Sequence, residues 1–144
     1  MSPEENKTLT KRFFDEVCNG RKLAVADELF SAQHTYTDPS IPGIPSGPAG
    51  QKQLIGTYQT AFPDARWEVE EMLVAGDKVV TRWIGSGTHK GVLQGNPPLP
   101  PTGKKVRVTG VWIHRVSGGK IVETWNHWDM LGMLQQLGVV PSSK

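Results

Sequence analysis

The chain has 144 residues, 37% of them apolar and 21% charged, with a formal net charge of +2. Residues 1–144 are expected to form one domain with a core that needs neither disulfide nor metal, and the balance excludes a disordered chain. Acids and bases are spread along it without a basic run of the nucleic-acid-binding kind, the single Cys18 excludes an internal disulfide and a CxxC zinc site, and no stretch approaches the ~20 apolar residues of a membrane-spanning helix.

The polar start, MSPEENK, lacks the apolar core of a signal peptide, so a cytoplasmic protein is expected. Ser2-Pro3-Glu4-Glu5 reads as a helix start: Ser2 caps, Pro3 suits the first turn and Glu5 completes a capping box. Leu9, Phe13, Phe14 and Val17 follow at helical spacing, with Cys18 beside them as a small core residue. Asn19-Gly20 stops this helix. A second short helix carries Leu23, Ala26, Leu29 and Phe30 on one side. Residues 33–38 form a short strand closed by Pro39, and the proline- and glycine-rich 39–48 is a stiff loop. A third helix from Pro48 bears Leu54, Ile55, Tyr58, Ala61 and Phe62 on its apolar side and ends at Pro63-Asp64.

From there the period changes to two. Trp67, Val69, Glu71 and Leu73 alternate with Arg66, Glu68, Glu70 and Met72, and Gly76-Asp77 signals a hairpin. The next strand places Val79, Thr81 and Trp83 on one face. The segment GVLQGNPPLPPTGKK, 91–105, is too rich in Pro and Gly for a central strand and reads as a flap or crossover. Residues 106–116 and 121–128 are strands joined by a turn at Ser117-Gly118-Gly119-Lys120. Asp129 caps a last helix with Met130, Met133, Leu134 and Leu137 on one side, closed by Gly138, with a loose tail. Helices segregated from an antiparallel meander make an α+β fold: a curved sheet, cone-shaped over the N-terminal helices, with an open mouth and a central cavity.

This element order, with GTHKG (87–91), GNPP (95–98), GGKIVE (118–123) and WDMLGMLQQLG (128–138), resembles the SnoaL-like polyketide (ester) cyclases of the nuclear transport factor two-like superfamily. The resemblance covers nearly the whole chain. It implies an α+β cone with a deep apolar cavity, usually a homodimer through the sheet. It also implies intramolecular aldol chemistry without metal or cofactor, in which an aspartate abstracts and returns a proton. That aspartate stands three residues before the helix-capping one, a position held here by Asn126. A histidine on the preceding strand of the cyclases corresponds to Trp112, the capping aspartate to Asp129, and a family histidine to His89.

The residues themselves leave alternatives open. Asn126 has no useful basicity; it either orients a ligand or donates to an oxyanion, or it is a buried amide bonded to a neighbouring strand. A one-residue bulge at the last hairpin pairs Arg115 with Glu123, and then Trp112 faces Asn126 and His114 faces Thr124. Trp112, His114, Asn126 and Trp128 then share one surface, taken as the cavity surface, and His127 points outward. His114 is a base near neutral pH or a core histidine satisfied by a carbonyl. His89 reaches the cavity near the flap or is a strand-end loop residue. His34 opens the first strand without an evident partner. Asp38 is a proton carrier at the cavity mouth, if burial raises its pKa, or an ordinary Asp-Pro turn residue. Asp129 contributes to binding or simply caps its helix.

Tyr36, Tyr58, Trp67 and Trp83 join Trp112 and Trp128 as candidate ligand contacts, suiting a flat apolar molecule. Neither HxH nor HExxH occurs, and neither a GxSxG elbow nor a phosphate-loop or dinucleotide fingerprint is present, so no metal and no cofactor are expected. The reading is a protein that takes a small hydrophobic carbonyl or ester compound, as a cofactor-free cyclase, isomerase or hydrolase with His114 or Asp38 as proton carrier and His89 assisting. The alternatives are a non-enzymatic small-molecule binder and a pure dimerisation module.

Overall fold

The computed structural model describes residues 2–95 and 97–141. Asn96 of the flap and the end of the tail, 142–144, lie outside the described residues. Helix α1 (Pro3–Arg12) opens with the predicted capping box: the Ser2 hydroxyl accepts from Glu5 N at 3.1 Å, and the Glu5 carboxylate accepts from Ser2 N at 2.9 Å. Two orphan backbone donors are thereby satisfied. The helix runs on without a break into a π-helical stretch, Phe13–Asn19. This wider winding keeps Phe13-Phe14 and Val17-Cys18 together over the core, where all four are buried. Burial holds the Cys18 thiol well above its ordinary pKa. A single 3-10 turn (Leu23–Val25) and α2 (Ala26–Leu29) follow. Phe30, expected on this helix, instead opens strand β1 (Phe30–Thr37) and packs edge-on against Phe13 at 5.5 Å.

Helix α3 (Pro48–Ala61) and strands β2 (Arg66–Ala75), β3 (Lys78–Thr88), β4 (Lys105–Ser117) and β5 (Lys120–Trp128) lie close to their expected positions. The sheet order is β1-β5-β4-β3-β2. Strands β2 to β5 form the antiparallel meander, but β1 joins β5 in parallel, so the sheet is mixed. The predicted hairpin register is present: a bulge between Arg115 and Val116, Arg115 opposite Glu123, His114 opposite Thr124 and Trp112 opposite Asn126. The Arg115–Glu123 ion pair closes at 3.2 Å. Strand β2 departs from plain alternation because a second bulge falls between Val69 and Glu71. Beyond it Met72 is half-buried and Leu73 is 56% exposed.

Two side-chain amides fasten helices to this sheet. Asn19, at the end of the π-helical stretch, donates to Trp67 O at 2.7 Å and accepts from Trp67 N at 2.8 Å. Gln136, in α4 (Met130–Gln136), accepts from Arg107 N at 2.7 Å and donates to Arg107 O at 3.0 Å. Each amide makes the paired bonds that a neighbouring strand would make. The flap is tied down as well. Lys90 N and Gly91 N both donate to Ala61 O at the end of α3, and Leu93 bridges Leu99. None of the helices among the described residues is long and apolar enough to cross a membrane.

The inner sheet face carries Val79, Thr81 and Trp83 of β3, with Trp112 and His114 of β4, as the alternation predicts. Gly110 sits in this row, opposite Trp83 on one side and Trp128 on the other. A methyl group there would stand 2.6 Å from the Trp83 ring and 2.7 Å from Trp128 Cβ. The bare glycine leaves room for the Trp83 ring on one side and the Trp128 Cβ on the other.

Candidate functional site

A pocket lies between α3 and part of the inner sheet face. Seven of the predicted candidates line it: Trp67, Trp83, Trp112, Trp128, Tyr36, Tyr58 and Asn126. Trp83 and Trp112 stack at 4.9 Å with their planes 29° apart, and Tyr58 stands edge-on to Trp128 at 5.8 Å. The remaining wall includes Leu54, Ile55, Phe62, Val106, Val108 and Met133. Leu54, Ile55, Phe62 and Met133 carried a signal, helical periodicity, but that pattern does not separate a pocket wall from a filled core.

A chain of hydrogen bonds borders this wall. The Tyr36 hydroxyl donates to Asp38 Oδ2 at 2.8 Å, and Trp128 Nε1 donates to the same oxygen at 2.9 Å. Ser40 N donates to Asp38 Oδ1 at 2.8 Å. Asn126 Nδ2 donates to the Tyr36 oxygen at 3.0 Å. Asp38 is itself buried; it meets the pocket through Tyr36 and Trp128, which both line it. Burial, with the Asp38 charge adding to it, keeps the Tyr36 phenol protonated far above its ordinary range, and the same two causes act on Tyr58. Asn126 is only 4% exposed, and its Oδ1 has no partner. Trp112 Nε1, on the residue directly opposite, has none either.

The other candidates lie elsewhere. His114 is on the inner face as predicted, but one step deeper than the pocket wall, packed against Phe13 at 5.3 Å and Trp112 at 6.0 Å. Both of its ring nitrogens are unpartnered. Burial, with the nearby His34 adding, pushes its pKa down to about 3. His34 does have a partner: its Nε2 lies 2.7 Å from the Thr124 hydroxyl, and burial pushes it down to about 4. His89 is buried away from the pocket wall and holds the flap. Its Nδ1 accepts from Thr102 N at 3.2 Å and lies 3.0 Å from the Thr102 hydroxyl, which puts the ring proton on Nε2. Burial lowers its pKa as well. Asp129 stands exposed and caps α4 by accepting from Gly132 N at 2.8 Å. His127 points outward and is exposed. Among the described residues, no three His, Cys, Asp or Glu side chains converge as metal ligands would.

Comparison with known proteins agrees with this architecture. The family described as SnoaL-like polyketide cyclase matches residues 8–137. Nogalonic acid methyl ester cyclase of Streptomyces nogalater is 33% identical over 97 residues, 67% of this chain and 70% of that protein. Among solved structures, TsrD from Streptomyces laurentii has the same fold with a TM-score of 0.84, at 23% identity over 97% of this chain and 99% of its own. IdmH from Streptomyces antibioticus gives a TM-score of 0.76 at 28% identity, over 92% of this chain and 98% of its own.

Proposed function

We propose, for a chain that belongs to the SnoaL-like polyketide cyclase family, that the pocket takes a small hydrophobic carbonyl or ester compound and promotes a cofactor-free proton transfer upon it. The observation that carries this reading is the continuous chain Asp38–Tyr36–Asn126 along the pocket wall. A carboxylate can accept a proton from the carbon beside a carbonyl and return it to another atom. Asp38 is the candidate in hydrogen-bond contact with lining residues, and the Tyr36 hydroxyl between it and the pocket is a route for the proton. Asn126 holds Tyr36 in place. His114 and His89 are structural here: one fills the deep core, the other fastens the flap.

The test is turnover of aldol-type polyketide mimics by Asp38→Asn and Asn126→Asp. Loss of turnover in Asp38→Asn, with altered turnover in Asn126→Asp, is the expected result. Full activity in Asp38→Asn would move the proton carrier elsewhere. A second reading, binding without turnover, is favoured by one feature: the lining residues include no Asp, Glu or His. A retained molecule recovered unchanged from purified protein, with binding flat across pH, supports that reading. A homodimer through the outer sheet face accompanies either one, and native mass spectrometry gives the subunit count.

A further inference from the structure

For an Asp38 carboxylate, each hydrogen-bond direction in the chain follows from the one before it. The Trp128 indole and the Ser40 backbone can only donate, so both Asp38 oxygens accept. Tyr36 has a single proton, and it goes to Asp38. The Tyr36 oxygen can then only accept, and Asn126 must turn its NH2 toward it. With the amide reversed, two acceptor oxygens would face each other. Asn126 Oδ1 is therefore committed as a buried acceptor with nothing to accept.

The residue opposite it in the sheet supplies the complement. Trp112 carries an indole N–H, a donor only, that is also buried and unpartnered. Both residues line the pocket. Directly opposed side chains have Cβ atoms about 5 Å apart, so the two unpartnered atoms belong to neighbouring side chains on one face. A carbonyl oxygen placed there would suit Trp112 but repel Asn126. An ether or a hydrocarbon would leave Oδ1 unsatisfied. A hydroxyl donates to one and accepts from the other. This differs from donation to an oxyanion, one of the roles the sequence leaves open for Asn126.

We propose that Asn126 and Trp112 form a hydroxyl subsite, so that the ligand presents an enol, phenol or alcohol O–H to the inner wall of the pocket. The proposal rests on the pocket being the ligand site, as argued above, and adds which polar group the ligand must carry. Three probes of one shape separate the two claims: 2-naphthol, 2-methoxynaphthalene and naphthalene, titrated by quenching of tryptophan fluorescence. Wild-type protein should bind 2-naphthol about tenfold more tightly than 2-methoxynaphthalene, because the ether leaves a buried acceptor unpaired. Asn126→Leu and Trp112→Phe should each reduce that preference to about threefold or less while naphthalene still binds. Thermal unfolding of both variants checks that they fold; if Trp112→Phe does not, Asn126→Leu alone decides.

Equal affinity for all three probes in wild-type protein overturns the hydroxyl subsite and leaves the pocket reading intact. A 2-naphthol preference untouched by either substitution also overturns it, since the hydroxyl then binds elsewhere. No binding of any probe removes the pocket reading, and this inference with it. Equal binding of the probes together with a loss of stability in Asn126→Leu would mean that a water molecule alone occupies the position.

Discussion

Acidification should weaken this protein chiefly through two side chains that the unfolded chain protonates and the folded protein does not, with a smaller share from His89, whose pKa burial also lowers. His34 and His114 are buried, and burial lowers them from an ordinary 6.5 to about 4 and about 3. Above about pH 6.5 both are neutral in either state, and their contribution to stability is complete. As the pH falls below that value the unfolded chain gains protons, and stability drops until the folded values are reached. At about pH 5 the gap is about 1.5 pH units, worth about 2 kcal/mol for each imidazole and about 4 kcal/mol for the pair. That is a large share of the ~5–15 kcal/mol of a typical domain. Asp64, held below its ordinary range by bonds from Thr88 N and its hydroxyl, titrates lower still, so this window isolates the imidazoles. The assay is urea unfolding at about pH 7.5 and about pH 5 for wild type, His114→Leu and the double variant with His34→Leu. The single change should remove close to half of the acid loss, and the double change should leave only the smaller share of His89. A double variant as acid-sensitive as wild type would refute the assignment.

Asn19→Ala removes both bonds to the Trp67 backbone and should cost about 2 kcal/mol in urea unfolding. Gly110→Ala drives a methyl group against the Trp83 ring and the Trp128 Cβ; about 1–3 kcal/mol of stability should be lost, with a shift in tryptophan emission as the Trp83 ring is displaced. Ser2→Ala breaks the capping box and should cost about 1 kcal/mol by thermal unfolding. Tyr36→Phe deletes the hydroxyl that orients Asn126, so the amide is free to turn over, and the preference of the pocket for 2-naphthol over its methyl ether should shrink with it.

Short-range features of this fold were legible in the sequence. The Arg115–Glu123 pair, the glycine turn and strict alternation sufficed to set the β4–β5 register and the face carrying Trp112, His114 and Asn126. Alternation also places Tyr36 and Asp38, two residues apart on β1 and beyond it, on one side. What alternation does not supply is depth along a face. His114 shares its face with Trp112, but Phe13 and Phe14 fill the space in front of it, and their reach depends on a π-helical winding that no local pattern announces. The parallel pairing of β1 with β5 left no trace either, because its partners stand 88 to 91 residues apart, and the His34–Thr124 contact is as distant. The link from Tyr36 to Asn126 spans the same distance and was invisible for the same reason.

The amides of Asn19 and Gln136 have a meaning beyond this molecule's own stability. Trp67 lies on the outer edge of β2, and Arg107 lies where β4 has run past the last β5 pairing at Gly110. Bare main-chain groups at such places are templates on which another molecule's strand can grow. Two short side chains occupy them and make no further backbone available. Loss of either amide would therefore show first in concentrated solution, as self-association and turbidity on storage, while a dilute sample still looked folded.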